Sequence, residues 1–314
     1  VSASLNNSGQ FVVATDHTSG VVLYDSTGKQ IRKIGDIGRG PAEYVSPGIV
    51  KFIGDTIYIW DEGLLKFLKF NTQNELLLEI AEFRWALQDF TVYGTDIFMY
   101  NSGKSSGAYI EQYHLNQNKY GKSFGQSTQE HIVLMTLNRA GGMDSRGDYL
   151  YYVSPSKLSI YRIDLKNYKK SNFPINDEDF KVPEVDNARK IIMDIEKATE
   201  FITSSSVVTG IHLLDDYIVM IAEIGQAQYN KQYNAYLTLE NKVRFYVLEY
   251  NMQLIDTFTF AWNTKKGGQF KIWGSNGEEL FFLSTTDLFG EPVQKMNKMM
   301  PYHLYRWKIK KIEQ

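Results

Sequence analysis

The sequence predicts an all-β fold, a six-bladed β-propeller of four-stranded antiparallel blades that takes up residues 1–314 as a single domain. Three observations support this prediction. Short runs rich in Val, Ile, Tyr and Phe dominate the chain, and these residues suit a pleated, half-buried strand. A tight turn followed by such a strand recurs six times. The average unit of about 52 residues is close to the ~40 to 50 residues of known propeller repeats.

The recurring element is a turn with glycine or acidic residues that leads into a short apolar strand. Glycine and Asx residues readily take the positive φ that a tight hairpin requires. A β-sandwich or a meander barrel is the competing fold, but neither requires six copies of one unit. The six turns are Ser8-Gly9-Gln10, Gly54-Asp55-Thr56, Gly94-Thr95-Asp96, Gly147-Asp148-Tyr149, Asp215-Asp216-Tyr217 and Gly277-Glu278-Glu279.

The strands that follow these turns end at equivalent positions, which are separated by 40 to 68 residues. For the acidic and amide residues among them, we favour hydrogen bonding to the backbone at the strand end over convergence on a central ligand. These positions are Asp16, Asp61, Asn101, Ser154, Ala222 and Ser284.

The last unit offers only three strands, so the N-terminal residues 1–5 have two candidate places. They either begin the first blade or complete the sixth by crossing over to it. We favour the first placement, because residues 1–5 precede a glycine turn in the same way as residues 49–53.

The long insertions are expected to lie on one face of the propeller. In a four-stranded blade, the connection between strands two and three lies on the same face as the connection to the next blade, and loops on a rigid scaffold commonly bind ligands. One insertion has apolar residues at helical spacing, which predicts a short helical insertion between blades four and five, or alternatively a partner-binding helix. Its stripe is Val185, Ala188, Ile191, Ile192, Ile195, Ala198 and Phe201; the insertions are 101–108, 127–140, 176–206, 223–242 and 286–302.

The composition excludes several classes of protein. The chain has 34 Lys and Arg against 36 Asp and Glu, so it lacks the positive charge that nucleic acid or anionic membranes require. With no cysteine, it has neither disulfides nor thiolate chemistry. No apolar run approaches the ~18 residues of a spanning helix. We therefore expect a soluble body or the mature part of an exported protein, without a transmembrane segment and without a nucleic-acid partner.

Residues 35–44 form the most specific motif, GDIGRGPAEY, which links the first and second units. This segment resembles the G-x-G-P-G-E-Y signature of exported bacterial six-bladed propellers of the TolB-like or NHL-like kind, with Ala42 in place of one glycine. The resemblance is specific over residues 8–80. It implies an extracytoplasmic protein, in the periplasm or at the cell surface and in some members lipid-anchored, and it supplies no catalytic residues.

Candidate ligand-binding residues come from this motif and from the insertions. Arg39, Glu43 and Tyr44 either bind a ligand or close the junction between blades, and we favour the structural role. The segment 223–242 mixes tyrosines with amides, which is typical of carbohydrate or peptide contacts, although a plain hairpin extension is an equal alternative. The remaining candidates are His131, Arg139, Tyr229, Tyr233, Tyr236 and Phe289.

The sequence therefore favours a non-enzymatic binding module that holds a protein, peptide or glycan on its loop-rich face. The alternative is a hydrolase or lyase of the lactonase-propeller type, with a divalent cation in the central channel held by oxygen ligands. A third possibility is a structural subunit of an envelope assembly. No cofactor is expected, apart from calcium in the enzymatic alternative, and the oligomeric state stays open.

Overall fold

A computed structural model of the chain describes residues 2–14, 20–81, 83–84, 86–101, 107–137, 139, 141–225, 227–230, 235–238, 240–263, 270–275, 277–284 and 303–309. These residues form two compact units, which are described separately. Unit 1 comprises Val1–Leu87 and Gln269–Gln314, and unit 2 comprises Gln88–Gly268. The prediction of a single domain over residues 1–314 stays a prediction.

Unit 1 begins with two four-stranded antiparallel sheets joined by a short parallel pair of strands. Sheet 1 consists of β1 (Ser2–Leu5), β2 (Phe11–Ala14), β3 (Val21–Tyr24) and β4 (Gln30–Ile34). The parallel pair is β5 (Asp36–Ile37) and β6 (Glu43–Tyr44). Sheet 2 consists of β7 (Pro47–Ile53), β8 (Thr56–Asp61), β9 (Lys66–Asn71) and β10 (Leu76–Ile80).

Unit 2 contains three further four-stranded antiparallel sheets. Sheet 3 is formed by β11 (Leu87–Tyr93), β12 (Asp96–Asn101), β13 (Ile110–His114) and β14 (Lys119–Phe124), with a 3-10 turn at Leu115–Gln117. Sheet 4 is formed by β15 (Gly142–Arg146), β16 (Tyr149–Val153), β17 (Ser159–Asp164) and β18 (Lys170–Pro174). Sheet 5 is formed by β19 (Val207–Leu213), β20 (Tyr217–Ile224), β23 (Glu240–Glu249) and β24 (Leu254–Asn263), and a hairpin of β21 (Ala227–Asn230) and β22 (Ala235–Thr238) is inserted between its second and third strands.

The C-terminal part of unit 1 forms sheet 6, which has three strands among the described residues. They are β25 (Phe270–Ser275), β26 (Glu279–Ser284) and β27 (His303–Lys308). Strand β1 pairs with β2, lies against β7 of sheet 2 and also lies beside β25. The favoured placement of residues 1–5 as the first strand of the first sheet is therefore confirmed.

The glycine turns lie where the sequence predicts them, between the first and second strands of a sheet. In five of the six turns, the glycine takes a positive φ, a conformation in which residues with a Cβ are strained. These are Gly9, Gly54, Gly94, Gly147 and Gly277. The recurring turn is thus a property of the backbone that the sequence specifies directly.

Three α-helices lie among the described residues of unit 2, and two of them occupy the predicted insertion between sheets 4 and 5. These are α2 (Ala188–Ile192) and α3 (Ile195–Ser204), which are separate because Asp194 caps a new helix with its carboxylate. The single predicted stripe is wrong at Ile195, which lies at the start of α3 and is 84% exposed. The prediction of one helical insertion is also incomplete, because α1 (Gln129–Thr136) lies between sheets 3 and 4.

The core consists of apolar side chains between neighbouring sheets of the same unit. Sheets 1 and 2 share one cluster, which includes Val12, Leu23, Ile57 and Phe70. Sheets 4 and 5 share another, built on residues such as Ile160 and Met220. Among the residues that the structure describes, no helix has the length and apolar character needed to cross a membrane.

Candidate functional site

The insertions of unit 2 meet at one end of its sheets. α1 connects sheets 3 and 4, α2 and α3 connect sheets 4 and 5, and the β21–β22 hairpin joins the second and third strands of sheet 5. These connections share one end of their sheets, as predicted. α1 contacts α2, α2 contacts α3, and α3 contacts both strands of the hairpin. We call α1, α2, α3 and this hairpin the insertion cluster.

The insertion cluster has a small apolar core of its own. Val133 and Leu134 of α1 pack with Val185, Ala188 and Phe201 from the segment between sheets 4 and 5. Burial of such side chains stabilises by about 1.5 to 3 kcal/mol each. This small core joins α1 to the segment between sheets 4 and 5.

Side chains of α1 also satisfy backbone groups of the neighbouring insertion. The backbone N–H of Val185 donates to Glu130 Oε1 over 2.9 Å, and that of Ala188 donates to Gln129 Oε1 over 2.8 Å. Unpaired N–H groups at a helix start are costly unless a partner accepts from them. The start of α2 is thus fixed by the first turn of α1.

The predicted residue Arg139 lies where α1 leads back to the sheets. Its guanidinium donates to the carboxylate of Glu223, with Nη1 and Oε2 2.5 Å apart. Glu223 lies on β20 just before the hairpin. Both side chains are more than one third exposed, so the pair contributes at most about 1 kcal/mol. Its main effect is to join two of the insertions.

The predicted residue His131 is fully buried at the start of α1. Its ring stacks on Tyr109, with centroids 4.3 Å apart, and its Nδ1 lies 3.0 Å from the hydroxyl of Ser154. Burial, assisted by the charge of Lys157, lowers the pKa of His131 to about 4. The imidazole is therefore neutral at pH 7. Within the described residues, its Nε2 has no hydrogen-bond partner.

A cavity of about 490 Å³ opens between sheets 3 and 4, beside His131. This volume lies in the range of ~300 to 1,000 Å³ that is typical of small-molecule sites. Ser154 connects the two features, because it lines the cavity and also bonds His131. The lining consists of Tyr109, Gly125, Gln126, Tyr152, Ser154, Lys157, Tyr161, Lys170, Ser171 and Asn172.

Three tyrosines form a continuous aromatic wall of this cavity. Tyr152 and Tyr161 are cross-strand neighbours and stack with centroids 5.0 Å apart, while Tyr109 meets Tyr152 edge to face at 5.9 Å. On β18, Asn172 is the cross-strand partner of Tyr161. Burial raises the pKa of Tyr109 and of Tyr152, so both hydroxyls remain protonated at neutral pH. No sequence motif indicates this wall, since it depends on register between strands.

The predicted motif in unit 1 is closely packed. The hydroxyl of Tyr44 donates to the carbonyl of Ile34 and accepts from the N–H of Val21, each over 2.8 Å. Glu43 accepts from the N–H of Gly40 over 2.6 Å. These contacts supply the structural role that the sequence favours. Ligand binding by Glu43 and Tyr44 stays a prediction.

Glycine is required beside the Tyr44 ring. Gly20 and Gly35 both have positive φ, and a Cβ at either position would lie 2.7 to 2.8 Å from the Tyr44 side chain. Ala42 takes φ 61°, so the turn keeps a left-handed residue where the family signature has glycine. The backbone at this position is therefore one that glycine adopts without strain.

The other predicted residues are only partly covered by the structure. Arg39 is exposed on the motif loop of unit 1. Tyr229 and Tyr236 occupy opposite register positions on the two strands of the hairpin of the insertion cluster. Tyr233 and Phe289 lie outside the described residues, as do most of the insertions 101–108 and 286–302. Binding roles for these residues stay predictions.

Of the strand-end residues predicted to bond the backbone, Asp61 does so and Asn101 does not. The carboxylate of Asp61 accepts from the N–H groups of Val45, Ser46 and Gly63 at 2.9 to 3.0 Å. The Nδ2 of Asn101 donates to Glu111 Oε2 over 3.0 Å, and its Oδ1 has no hydrogen-bond partner within the described residues. Asp16 lies outside the described residues. The described part of the chain contains no group of three or more His, Cys, Asp or Glu side chains placed to hold a metal ion. The metal-dependent alternative stays a prediction.

Comparison with known proteins identifies the family. The sequence pattern of DUF5128, described as a 6-bladed beta-propeller, matches residues 5–273. The chain belongs to this family. Its fold is therefore a six-bladed β-propeller of four-stranded antiparallel blades, as the sequence predicts, and the resemblance to a bacterial propeller family is confirmed. No functionally curated protein matches the chain.

Solved structures of Bacteroides proteins share the fold. A member of the DUF4221 family from Bacteroides vulgatus has a TM-score of 0.66 at 10% identity, with 98% of this chain and 92% of that chain covered. A second solved structure is that of a Bacteroides fragilis protein named as a proposed exported protein. It has a TM-score of 0.61 at 16% identity, with 89% of this chain and 77% of that chain covered. At such identities the likeness concerns the fold alone.

Proposed function

We propose that this chain is an extracytoplasmic, non-enzymatic binding protein that holds a protein, peptide or glycan on its insertion cluster. The observation that carries this proposal is the contact between insertions from three different connections. Loops supported by a rigid sheet scaffold are the usual location of binding residues. The opposite ends of the same sheets carry short turns, such as those at Gly94 and Gly147.

The location of the protein is part of the same proposal. The GDIGRGPAEY motif resembles a signature of exported propellers, and the similar Bacteroides fragilis protein has a name that proposes export. An extracytoplasmic protein with an ordered, loop-built surface is suited to bind molecules from outside the cytoplasm. Cell fractionation with an antibody against the chain tests this part directly, and recovery in the cytoplasm would contradict it.

The binding part is tested with a variant that lacks the hairpin. Residues 226–240 are replaced by Asn-Gly, which closes β20 and β23 with a two-residue turn because Ile224 pairs with Lys242. The wild-type chain is screened on glycan and peptide arrays, and affinities for each ligand found are measured by calorimetry. We expect the hairpin variant to bind at least about tenfold more weakly.

The control is Thr95→Ala, an exposed change in the tight turn at the other end of sheet 3. It should leave affinity unchanged. Circular dichroism checks that both variants fold. The proposal fails if the wild type binds nothing on either array, or if the hairpin variant binds as tightly as the wild type.

A further inference from the structure

The cavity between sheets 3 and 4 has an unusual lining for its size. Its side chains supply phenol rings, hydroxyls, amides and two ammonium groups, without a single aliphatic side chain or carboxylate among them. Most small-molecule pockets are predominantly apolar, with few polar groups. This cavity is instead suited to a ligand that carries many hydrogen-bonding groups.

The aromatic wall indicates how such a ligand would pack. Tyrosine rings offer an apolar face for C–H groups, and their hydroxyls can still form hydrogen bonds. Tyr161 is half-buried at the end of the wall, beside the exposed side chain of Asn172. A sugar ring, with C–H groups on its faces and hydroxyls around its edge, matches this combination.

The two ammonium groups give the cavity a positive character. Lys157 and Lys170 are both exposed, and no carboxylate of the described residues lies within ion-pair distance of either. Glu130, whose carboxylate accepts from the N–H of Val185, interacts electrostatically with Lys157. An anionic group on the ligand would therefore be attracted.

A helix also begins close to the cavity lining in the sequence. Gly125 and Gln126 line the cavity and are followed by Thr128, the N-cap of α1. The N-terminal end of a helix carries partial positive charge, which stabilises nearby anions. The cavity thus combines two lysines with an adjacent helix start.

We propose that this cavity binds a uronate residue of an acidic glycan, with the sugar ring along Tyr161 and the carboxylate at Lys157 and Lys170. The inference goes beyond the proposed function, because none of the residues that line the cavity belongs to α1, α2, α3 or the hairpin. A peptide is disfavoured because the lining has no aliphatic side chains to pack against apolar residues. Asn172, on the same face of the sheet as Tyr161, would hydrogen-bond the ring hydroxyls.

The test is calorimetric titration of the wild-type chain with uronate oligosaccharides. The probes are tri-galacturonate and tetrasaccharides of hyaluronan and alginate, with the methyl ester of tri-galacturonate as the uncharged match. Penta-glutamate serves as the acidic peptide. We expect at least one uronate to bind. Esterification of the uronate carboxylate should weaken its affinity for the wild-type chain about tenfold or more. The Lys157→Ala/Lys170→Ala variant should bind the uronate more weakly by a similar factor, as expected for loss of charge-assisted hydrogen bonds.

Two further variants separate charge from packing. Tyr161→Ala should weaken uronate and methyl ester alike, because it removes the ring that both sugars contact. Lys169→Ala is the matched control, because it removes an adjacent exposed lysine that does not line the cavity. It should leave the affinity unchanged.

The outcomes distinguish this inference from the proposed function. If no uronate binds while a neutral glycan or a peptide binds in a hairpin-dependent manner, the uronate site is overturned and the proposed function stands. Equal affinity of the wild type and the double lysine variant for a uronate also overturns it, as does binding of penta-glutamate alone. If nothing binds, both proposals fail.

Discussion

The phenol hydroxyl of Tyr44 hydrogen-bonds the backbone carbonyl of Ile34 across 2.8 Å and in turn accepts from the N–H of Val21. The ring is fully buried in the cluster shared by sheets 1 and 2. One hydroxyl therefore satisfies two backbone groups, on the third and fourth strands of the first sheet. This relationship explains why the motif ends in tyrosine.

Tyr44→Phe should destabilise unit 1 without changing its fold. The substitution leaves a buried N–H and a buried carbonyl without this partner, at a cost of about 1 to 3 kcal/mol. Urea unfolding measures the change in the free energy of unfolding. Tyr24→Phe is the control, since Tyr24 is half-buried and stacks on Phe11. A loss no larger than that of the control would contradict this role of the hydroxyl.

Ala42→Gly should stabilise the turn of the motif. Ala42 holds φ 61°, where a residue with a Cβ is strained and glycine is not. We expect the free energy of unfolding to rise by about 0.5 to 1 kcal/mol. The gain is not larger because glycine is more flexible than alanine in the unfolded chain. Ala42→Val should have the opposite effect, because a branched side chain fits this conformation poorly. Thermal unfolding compares the three chains, and a lower melting temperature for Ala42→Gly would refute the explanation.

Asp177→Asn should weaken the connection between sheets 4 and 5. Asp177 accepts two hydrogen bonds from Arg244 and one from the Tyr246 hydroxyl at 2.6 to 2.8 Å. We expect a loss of about 2 kcal/mol, as for hydrogen bonds to a charged group. Asp179→Asn is the matched control, because Asp179 also bonds Arg244 but is 63% exposed. The Asp179→Asn variant should lose less than about 1 kcal/mol of unfolding free energy.

The effect of Asp177 should also depend on pH. Burial alone would raise the pKa of Asp177, but the bonds from Arg244 and Tyr246 outweigh it and lower that pKa below 3.8. A lowered folded-state pKa gives stability that is present above the unfolded pKa and is lost as pH falls through the folded value. The difference between wild type and Asp177→Asn should therefore narrow below about pH 4. A difference that stays constant with pH would show that the charge is unimportant.

Because of His131, the free energy of unfolding should fall as the pH is lowered. The pKa of His131 falls to about 4 in the folded chain, so the unfolded chain binds more protons between about pH 4 and 6.5. Stability is therefore lost as pH falls through this window, by about 2 kcal/mol between pH 7 and pH 5. His131→Asn should lack this component in urea unfolding at the two pH values. An imidazole NMR titration with a midpoint above pH 6 would contradict the assignment.

The sequence was sufficient for the sheets because their signals are local. Gly54, Gly94 and Gly147 mark turns whose positive φ is required wherever the two strands meet. The helix α1 was missed for the opposite reason. Its apolar residues, Ile132 to Met135, form a continuous run, and such a run cannot be distinguished from a buried strand by periodicity. Thr128 followed by Glu130 was the only local sign of a helix start.

The cavity could not be derived from the sequence. Its wall exists because Tyr152 pairs with Tyr161 and Tyr161 with Asn172, and register across three strands leaves no spacing pattern in the chain. The contact between α1 and α2 is likewise a tertiary result. Arg139 and His131 are predicted from their place in an insertion, and their binding roles stay predictions.

Hydrogen exchange of the wild-type chain, with and without the tightest ligand found on the arrays, tests the central claim most directly. The account predicts that bound ligand protects backbone amides in the insertion cluster, within residues 127–139, 185–206 and 223–242. Protection confined to unit 1, or to the tight turns at Gly94 and Gly147, would contradict it.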